Sequence, residues 1–179
     1  MHSFEISIKP DWITSGYYVY VVTIQYKGKT YLYIGQTGDN HYHTARAPLY
    51  RIGGHFAKGT STENQIIKYF KRTILKGRKM TPYELEQELK DCSLDYRFWK
   101  VCEYNPKDQK EKEHKEKRMQ VQAIEHYLIW HLQQFDNVVV FNKTVKGKYS
   151  QSKQAYFKND FKAIEEKAKT ILKELGYES

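Results

Sequence analysis

Apolar residues recur along the chain first with a period of two and later with a period near 3.6. Tyr17–Gln25 is dominated by aromatic and β-branched residues, and a second such run covers Thr30–Ile34. The Tyr26-Lys27-Gly28-Lys29 segment separates them, which predicts a β-hairpin whose tight connection Gly28 relieves. On these strands Tyr18 and Tyr20 share one face, as do Tyr31 and Tyr33. Phe4, Ile6 and Ile8 alternate as an edge strand does, and Pro10 ends that pattern. Asp95–Tyr104 predicts a third strand with Tyr96, Phe98, Lys100 and Cys102 along one face. Asn137–Phe141 is a short β-like run closed by Asn142.

The remaining patterns are helical. Leu49–Phe56 enters a first helix, which Gly53 and Gly54 weaken. Asn64–Leu75 carries Ile66, Ile67, Phe70 and Ile74 as an apolar face, leaves Lys68, Lys71, Arg72 and Lys76 to solvent, and stops at Gly77. Thr81, Pro82 and Glu84 have the spacing of a capping box, opening a helix that ends before Asp91. Lys107–Arg118 is a mixed charge run without Pro or Gly that continues into Met119–Phe135, and it reads as a solvated helix face with i,i+4 pairs. Val121, Ile124, Tyr127, Leu128, His131 and Phe135 then form an apolar arc, with Glu125 at its inner edge. After a basic, polar connection from Lys143 to Lys153, Asn159–Leu175 predicts a last helix with Phe161, Ile164, Ala168, Ile171 and Leu175 inward. The order of elements predicts an α/β fold: one elaborated domain over residues 1–179 with no long linker or internal repeat.

Composition narrows the function classes. A hydrophobic fraction of 40% argues for a folded chain, and a formal charge of +9 favours a polyanionic partner as well as solubility. Sixteen tyrosines can stack on bases, contact phosphates or fill a strand-rich core. Two cysteines, Cys92 and Cys102, are too few for a disulfide framework or a metal cluster and read as free thiols. With no apolar run near membrane length and no leader pattern, a soluble, cytoplasmic protein without a membrane partner is expected. His41 and His43 fall in the polar segment Gln36–Pro48 and read as exposed loop histidines.

Tyr18-Val19-Tyr20, Tyr33-Ile34-Gly35, the Arg51-x-x-x-His55 pair, Glu125 and Asn142 occur in the order that characterises one enzyme family. Residues 17–142 resemble the GIY-YIG nucleases, including their restriction endonuclease branch. The chain departs from the pattern at Tyr18, where the usual first motif has Gly, and in a long loop between Gly35 and Arg51. The resemblance implies a small central three-stranded antiparallel sheet, over about 17–25, 30–35 and 96–104, flanked by helices. It also implies divalent-metal-dependent hydrolysis of DNA phosphodiester bonds. Glu125 would then bind Mg²⁺, with Mn²⁺ as the alternative, and Arg51 would grip phosphate oxygens. Tyr20 would orient or deprotonate the attacking water, and Tyr33 would position water or phosphate. His55 would hold a phosphate or relay a proton, and Asn142 would orient the Glu125 region. Tyr18 and Tyr31 read as sheet or surface contacts. The expected substrate is double-stranded DNA, cut by a homodimer in the manner of a site-specific type II restriction enzyme. A homing or DNA-repair nuclease is the nearest enzymatic alternative, and a non-cleaving nucleic-acid-binding module is the alternative of a different class.

Overall fold

The computed structural model describes residues 7–40, 42–56, 65–107, 110–142, 149 and 161–177. Strands β1 (Gly16–Tyr26) and β2 (Lys29–Gln36) form the predicted hairpin. Both central turn residues have positive φ, 47° at Lys27 and 74° at Gly28. That conformation matches the right-handed twist of the flanking strands, and glycine adopts it without a steric penalty. Strand β3 (Cys92–Glu103) pairs antiparallel with the other side of β1, and β4 (Val138–Val140) runs parallel to β2 at the far edge. The order is β3-β1-β2-β4, so the expected three antiparallel strands are present and a fourth, parallel one is added.

Strand β3 begins three residues before the predicted Asp95. Near its other end Tyr17 pairs with Cys102 but Tyr18 with Lys100, so Val101 is an extra residue in the ladder. Such a bulge reverses the alternation beyond it. Tyr96 and Phe98 keep the predicted face, whereas Cys102 turns to the opposite one and packs there with Trp99.

The helices are α1 (Pro10–Ile13), α2 (Pro48–Phe56), α3 (Gln65–Thr73), α4 (Pro82–Lys90), α5 (Glu111–Leu132) and α6 (Phe161–Glu174). Period-two alternation divides the sheet between two cores. Tyr17, Val19, Val21, Leu32 and Ile34 pack against Val121, Ile124 and Leu128 of α5 and Ile164, Ala168 and Ile171 of α6. Tyr20, Val22, Ile24, Tyr26, Tyr31 and Tyr33 line the other face, under Ile66 and Phe70 of α3 and beside Phe141. The predicted capping box opens α4: Glu84 N–H donates to Thr81 Oγ1 at 3.2 Å, and Thr81 N–H donates to Glu84 Oε2 at 2.7 Å.

Ile8 is exposed and leads into α1 rather than forming an edge strand, since Pro10 occupies the first helical turn. Phe4, Ile6, His41, Asn159 and the connection 143–148 lie outside the described residues. Among the described residues, no helix is long and apolar enough to cross a membrane.

Candidate active site

Burying a tyrosine-rich sheet face creates a chemical problem, because each phenol carries a hydroxyl that needs a partner. Around Tyr20 that need is met by α2 and β3. Tyr20 pairs with Gly35 on β2 and with Phe98 on β3, and is 1% exposed. Its ring lies over Gly35. A β-carbon at Gly35 would collide with the Tyr20 hydroxyl and ring, whose Cε1 is 2.9 Å from that position. The phenol oxygen of Tyr20 sits 3.1 Å from His55 Nε2, and His55 Nδ1 sits 3.2 Å from the Tyr96 hydroxyl. The His55 ring centroid is 5.6 Å from those of Tyr20 and Tyr33 and 5.8 Å from that of Tyr96, on which it stacks.

The electrostatics of this cluster favour neutral groups. Burial, assisted by the Arg51 charge, lowers the His55 pKa to about 4. Burial pushes Tyr20 up to about 12, with Glu125 adding to the rise while Arg51 and a hydrogen bond from Tyr33 oppose it. Tyr33 is raised well above the ordinary phenol value, also chiefly by burial. At neutral pH the imidazole is therefore uncharged, with one nitrogen donating and the other accepting. If Tyr20 donates to Nε2, then Nδ1–H donates to Tyr96.

Helix α2 carries Arg51 and His55 one turn apart, on the same side. Arg51 Nε and Nη2 both donate to the carbonyl of Gln36, the last residue of β2, at 3.2 and 2.6 Å. The guanidinium is thus fixed by backbone, and its charge is felt at Tyr20, Tyr33 and His55. Glu125 is half-buried on α5, next to fully buried Ile124. Its charge raises the pKa of both Tyr20 and Tyr33, so α5 brings this carboxylate to the same group.

Asn142 stands where β4 runs out. Phe141 N–H donates to Leu32 O at 2.7 Å, and the Asn142 side chain then continues the ladder. Its Oδ1 accepts from Ile34 N–H and its Nδ2 donates to Ile34 O, each at 2.8 Å. Gln133, the C-cap of α5, donates to the Asn142 carbonyl at 3.2 Å. Asn142 therefore clasps the backbone between Tyr33 and Gly35 and ties it to the end of the helix that carries Glu125.

Tyr18, the departure from the family motif, is buried on the same face as Tyr20. Its hydroxyl donates to Thr14 O at 3.2 Å and its ring meets Phe98 edge-on, which is a packing role. Tyr96, Gln36 and Thr37 are the partners the sequence reading missed. Thr37 is fully buried, donates to Gly16 O at 2.6 Å and accepts from Tyr18 N–H at 2.9 Å. Tyr96 shares its predicted strand face with Phe98, but alternation carries no information on which cross-strand residue it meets.

Among the described residues, no group of three or more His, Cys, Asp or Glu could hold a metal ion. Both nitrogens of His55 are engaged, so the donors here are oxygens: one carboxylate and the phenols. That set does not suit a closed zinc site, but it fits Mg²⁺, which keeps several waters and takes substrate phosphate oxygens. No protein-family model, curated protein or solved structure matches the chain.

Proposed function

We propose that the protein is a divalent-metal-dependent endonuclease of the GIY-YIG kind, hydrolysing phosphodiester bonds in double-stranded DNA as a homodimeric, site-specific restriction enzyme does. One observation carries this reading: the Tyr20–His55–Tyr96 chain lies within electrostatic reach of both a backbone-anchored arginine and a half-buried carboxylate. Buried groups with strongly shifted pKa values that cluster with an arginine and a glutamate support a functional-site reading.

Glu125 would hold Mg²⁺ or Mn²⁺, which when bound supplies charge stabilisation at the scissile phosphate and leaving oxygen. Arg51, held at Gln36, presents its remaining guanidinium donors to phosphate oxygens, a planar array that lysine cannot reproduce. Tyr20 orients the attacking water and passes on its proton: the phenol oxygen accepts from water as the phenol proton moves to His55 Nε2. Tyr96 receives the Nδ1–H and keeps Nε2 the accepting nitrogen. With Tyr20 near 12 and His55 near 4, this transfer is uphill in the ligand-free protein. A bound phosphodiester offsets the Arg51 charge and favours the imidazolium. Tyr33 positions the water or phosphate, and Asn142 holds the strand that carries Tyr33.

The test incubates wild type, Arg51→Ala and Glu125→Ala with mixed DNA substrates, with and without Mg²⁺, measuring cutting and binding separately. Metal-dependent cutting that falls about a hundredfold or more in each variant supports the mechanism. Binding without cutting across a broad substrate set favours the non-cleaving module. Discrete fragments indicate sequence specificity, and dependence on branches or lesions indicates repair.

A further inference from the structure

Residues 65–80 contain Lys68, Lys71, Arg72, Lys76, Arg78 and Lys79 and no carboxylate. On α5 and α6 several lysines pair with glutamates of their own helix: Lys115 with Glu111 and Lys117 with Glu113 at 2.6 Å, Lys169 with Glu166 at 2.9 Å. In the basic segment only Arg78 has a carboxylate neighbour among the described residues, Glu88 at 4.0 Å.

The fold turns most of these cations outward; it sets Arg72 beside the proposed active centre, and the hook runs from there towards the β1–β2 turn, where Arg78 meets the Glu88 that also pairs with Lys27. Ile66 and Phe70 anchor α3 in the core, with the Phe70 ring 5.3 Å from that of Tyr26. At about 100° per residue, Lys68 and Arg72 lie on the side opposite those anchors; both are exposed. After Thr73 the chain hooks back: Gly77 N–H donates to Lys71 O at 3.0 Å, with φ of 50° at Lys76 and 74° at Gly77. Lys76, Arg78 and Lys79 stand exposed on this hook. The Arg72 guanidinium lies 4.9 Å over the Tyr69 ring, whose centroid is 6.1 Å from that of Tyr33. The basic stripe therefore begins one ring away from Tyr33.

We propose that α3 and the hook after it form the surface that grips the backbone of duplex DNA beside the active centre. The proposal rests on the nuclease reading for the identity of the polyanion. Lysines and arginines that, Arg78 apart, have no carboxylate partner among the described residues suit phosphate contacts, which set affinity and register rather than sequence preference.

The experiment measures anisotropy of a short fluorescent duplex across a salt series. It uses a Glu125→Gln background without divalent metal, so that nothing is cut. Lys68→Gln/Lys71→Gln/Arg72→Gln is compared with Lys162→Gln/Lys167→Gln/Lys173→Gln on α6, which removes equal charge elsewhere. Lys76→Gln/Lys79→Gln, confined to the exposed hook, is the second variant should the α3 triple melt early. The α3 triple is expected to lower the slope of log affinity against log salt by about 2 to 3, at about 0.9 per phosphate contact, and to weaken binding about tenfold or more at physiological salt. The hook pair should lower it by about 1 to 2, and the α6 triple should leave it unchanged. Equal losses in the α3 and α6 triples, or an unchanged slope in both folded α3 and hook variants, overturns the surface assignment even where wild type cuts DNA. The expected losses in a protein that never cuts would sustain the surface and overturn the nuclease reading. A wild type that binds no duplex overturns both.

Discussion

Gly35 is the seat of the Tyr20 phenol. The two residues are register partners on β2 and β1, and the Tyr20 ring occupies the space a side chain at Gly35 would fill. Phe98, at a ring distance of 5.0 Å, and His55 close the other sides, so the ring has nowhere to retreat. Gly35→Ala should cost about 1 to 3 kcal/mol through overpacking and pull the phenol away from His55 Nε2. A thermal melt and a single-turnover cleavage assay check this. An alanine variant with wild-type stability and wild-type cutting would show that Tyr20 does not use this seat in the working protein.

The features legible in the sequence are those with a local period or a local signal. Alternation put Tyr18 with Tyr20 and Tyr31 with Tyr33, Thr81 and Glu84 announced the capping box, and Arg51 and His55 stood four apart in the run that forms α2. What stayed hidden depends on register between distant segments. Tyr96 meets His55 because β3 pairs with β1 in a particular register, and Asn142 meets Ile34 across 108 residues of chain. The Val101 bulge, which sends Cys102 to the other face, has no Gly or Pro to mark it. The segment Gln36–Pro48 has the polar composition of a loop, yet buried Thr37 within it stitches Gly16 and Tyr18 together.

His55 makes stability depend on pH in a defined direction. Its pKa is lowered to about 4 by burial and by Arg51, against an ordinary value of 6.5 in the unfolded chain. Between these values the unfolded state binds the extra proton, so stability rises with pH through the window from 4 to 6.5. The full effect of that shift is about 3 kcal/mol. His114, also lowered by burial, acts in the same sense. His55→Gln should therefore flatten, without abolishing, the rise in denaturation midpoint between pH 4 and 6.5. An unchanged pH profile would mean that His55 titrates normally in the folded protein.

The same shift bears on cleavage. A relay through neutral His55 should keep its acid limb near pH 4 rather than 6.5 in the free enzyme, so kcat/KM should not fall tenfold per unit between pH 6.5 and 5.5. Tyr96→Phe preserves the ring stacked on His55 and Phe98 but deletes the acceptor for Nδ1–H. The imidazole then loses its tautomer bias, and kcat should fall about tenfold or more, as for other lost proton-transfer groups, with KM little changed. Nitrogen chemical shifts of His55 report the tautomer directly. A Tyr96→Phe variant with the native tautomer and native kcat would reduce Tyr96 to packing.

Asn142 tests whether β2 must be held rigid beyond the end of β4. Ile34 N–H points to the sheet edge, where the Asn142 amide supplies both an acceptor and a donor at 2.8 Å. Asn142→Ala leaves both Ile34 groups without these partners, a loss of about 1 to 3 kcal/mol for each group that water does not reach. Asn142→Asp keeps the acceptor for Ile34 N–H but turns a carboxylate oxygen towards Ile34 O, so it should rescue the amide bond and not the strand. Hydrogen exchange at the Ile34 amide separates the two: fast in the alanine variant, slower in the aspartate one. Cutting should fall in both, because Tyr33 and Gly35 flank the loosened residue and Gly35 seats Tyr20. Slow exchange at Ile34 in the alanine variant would show that β2 is rigid without the clasp and that Asn142 serves the site in another way.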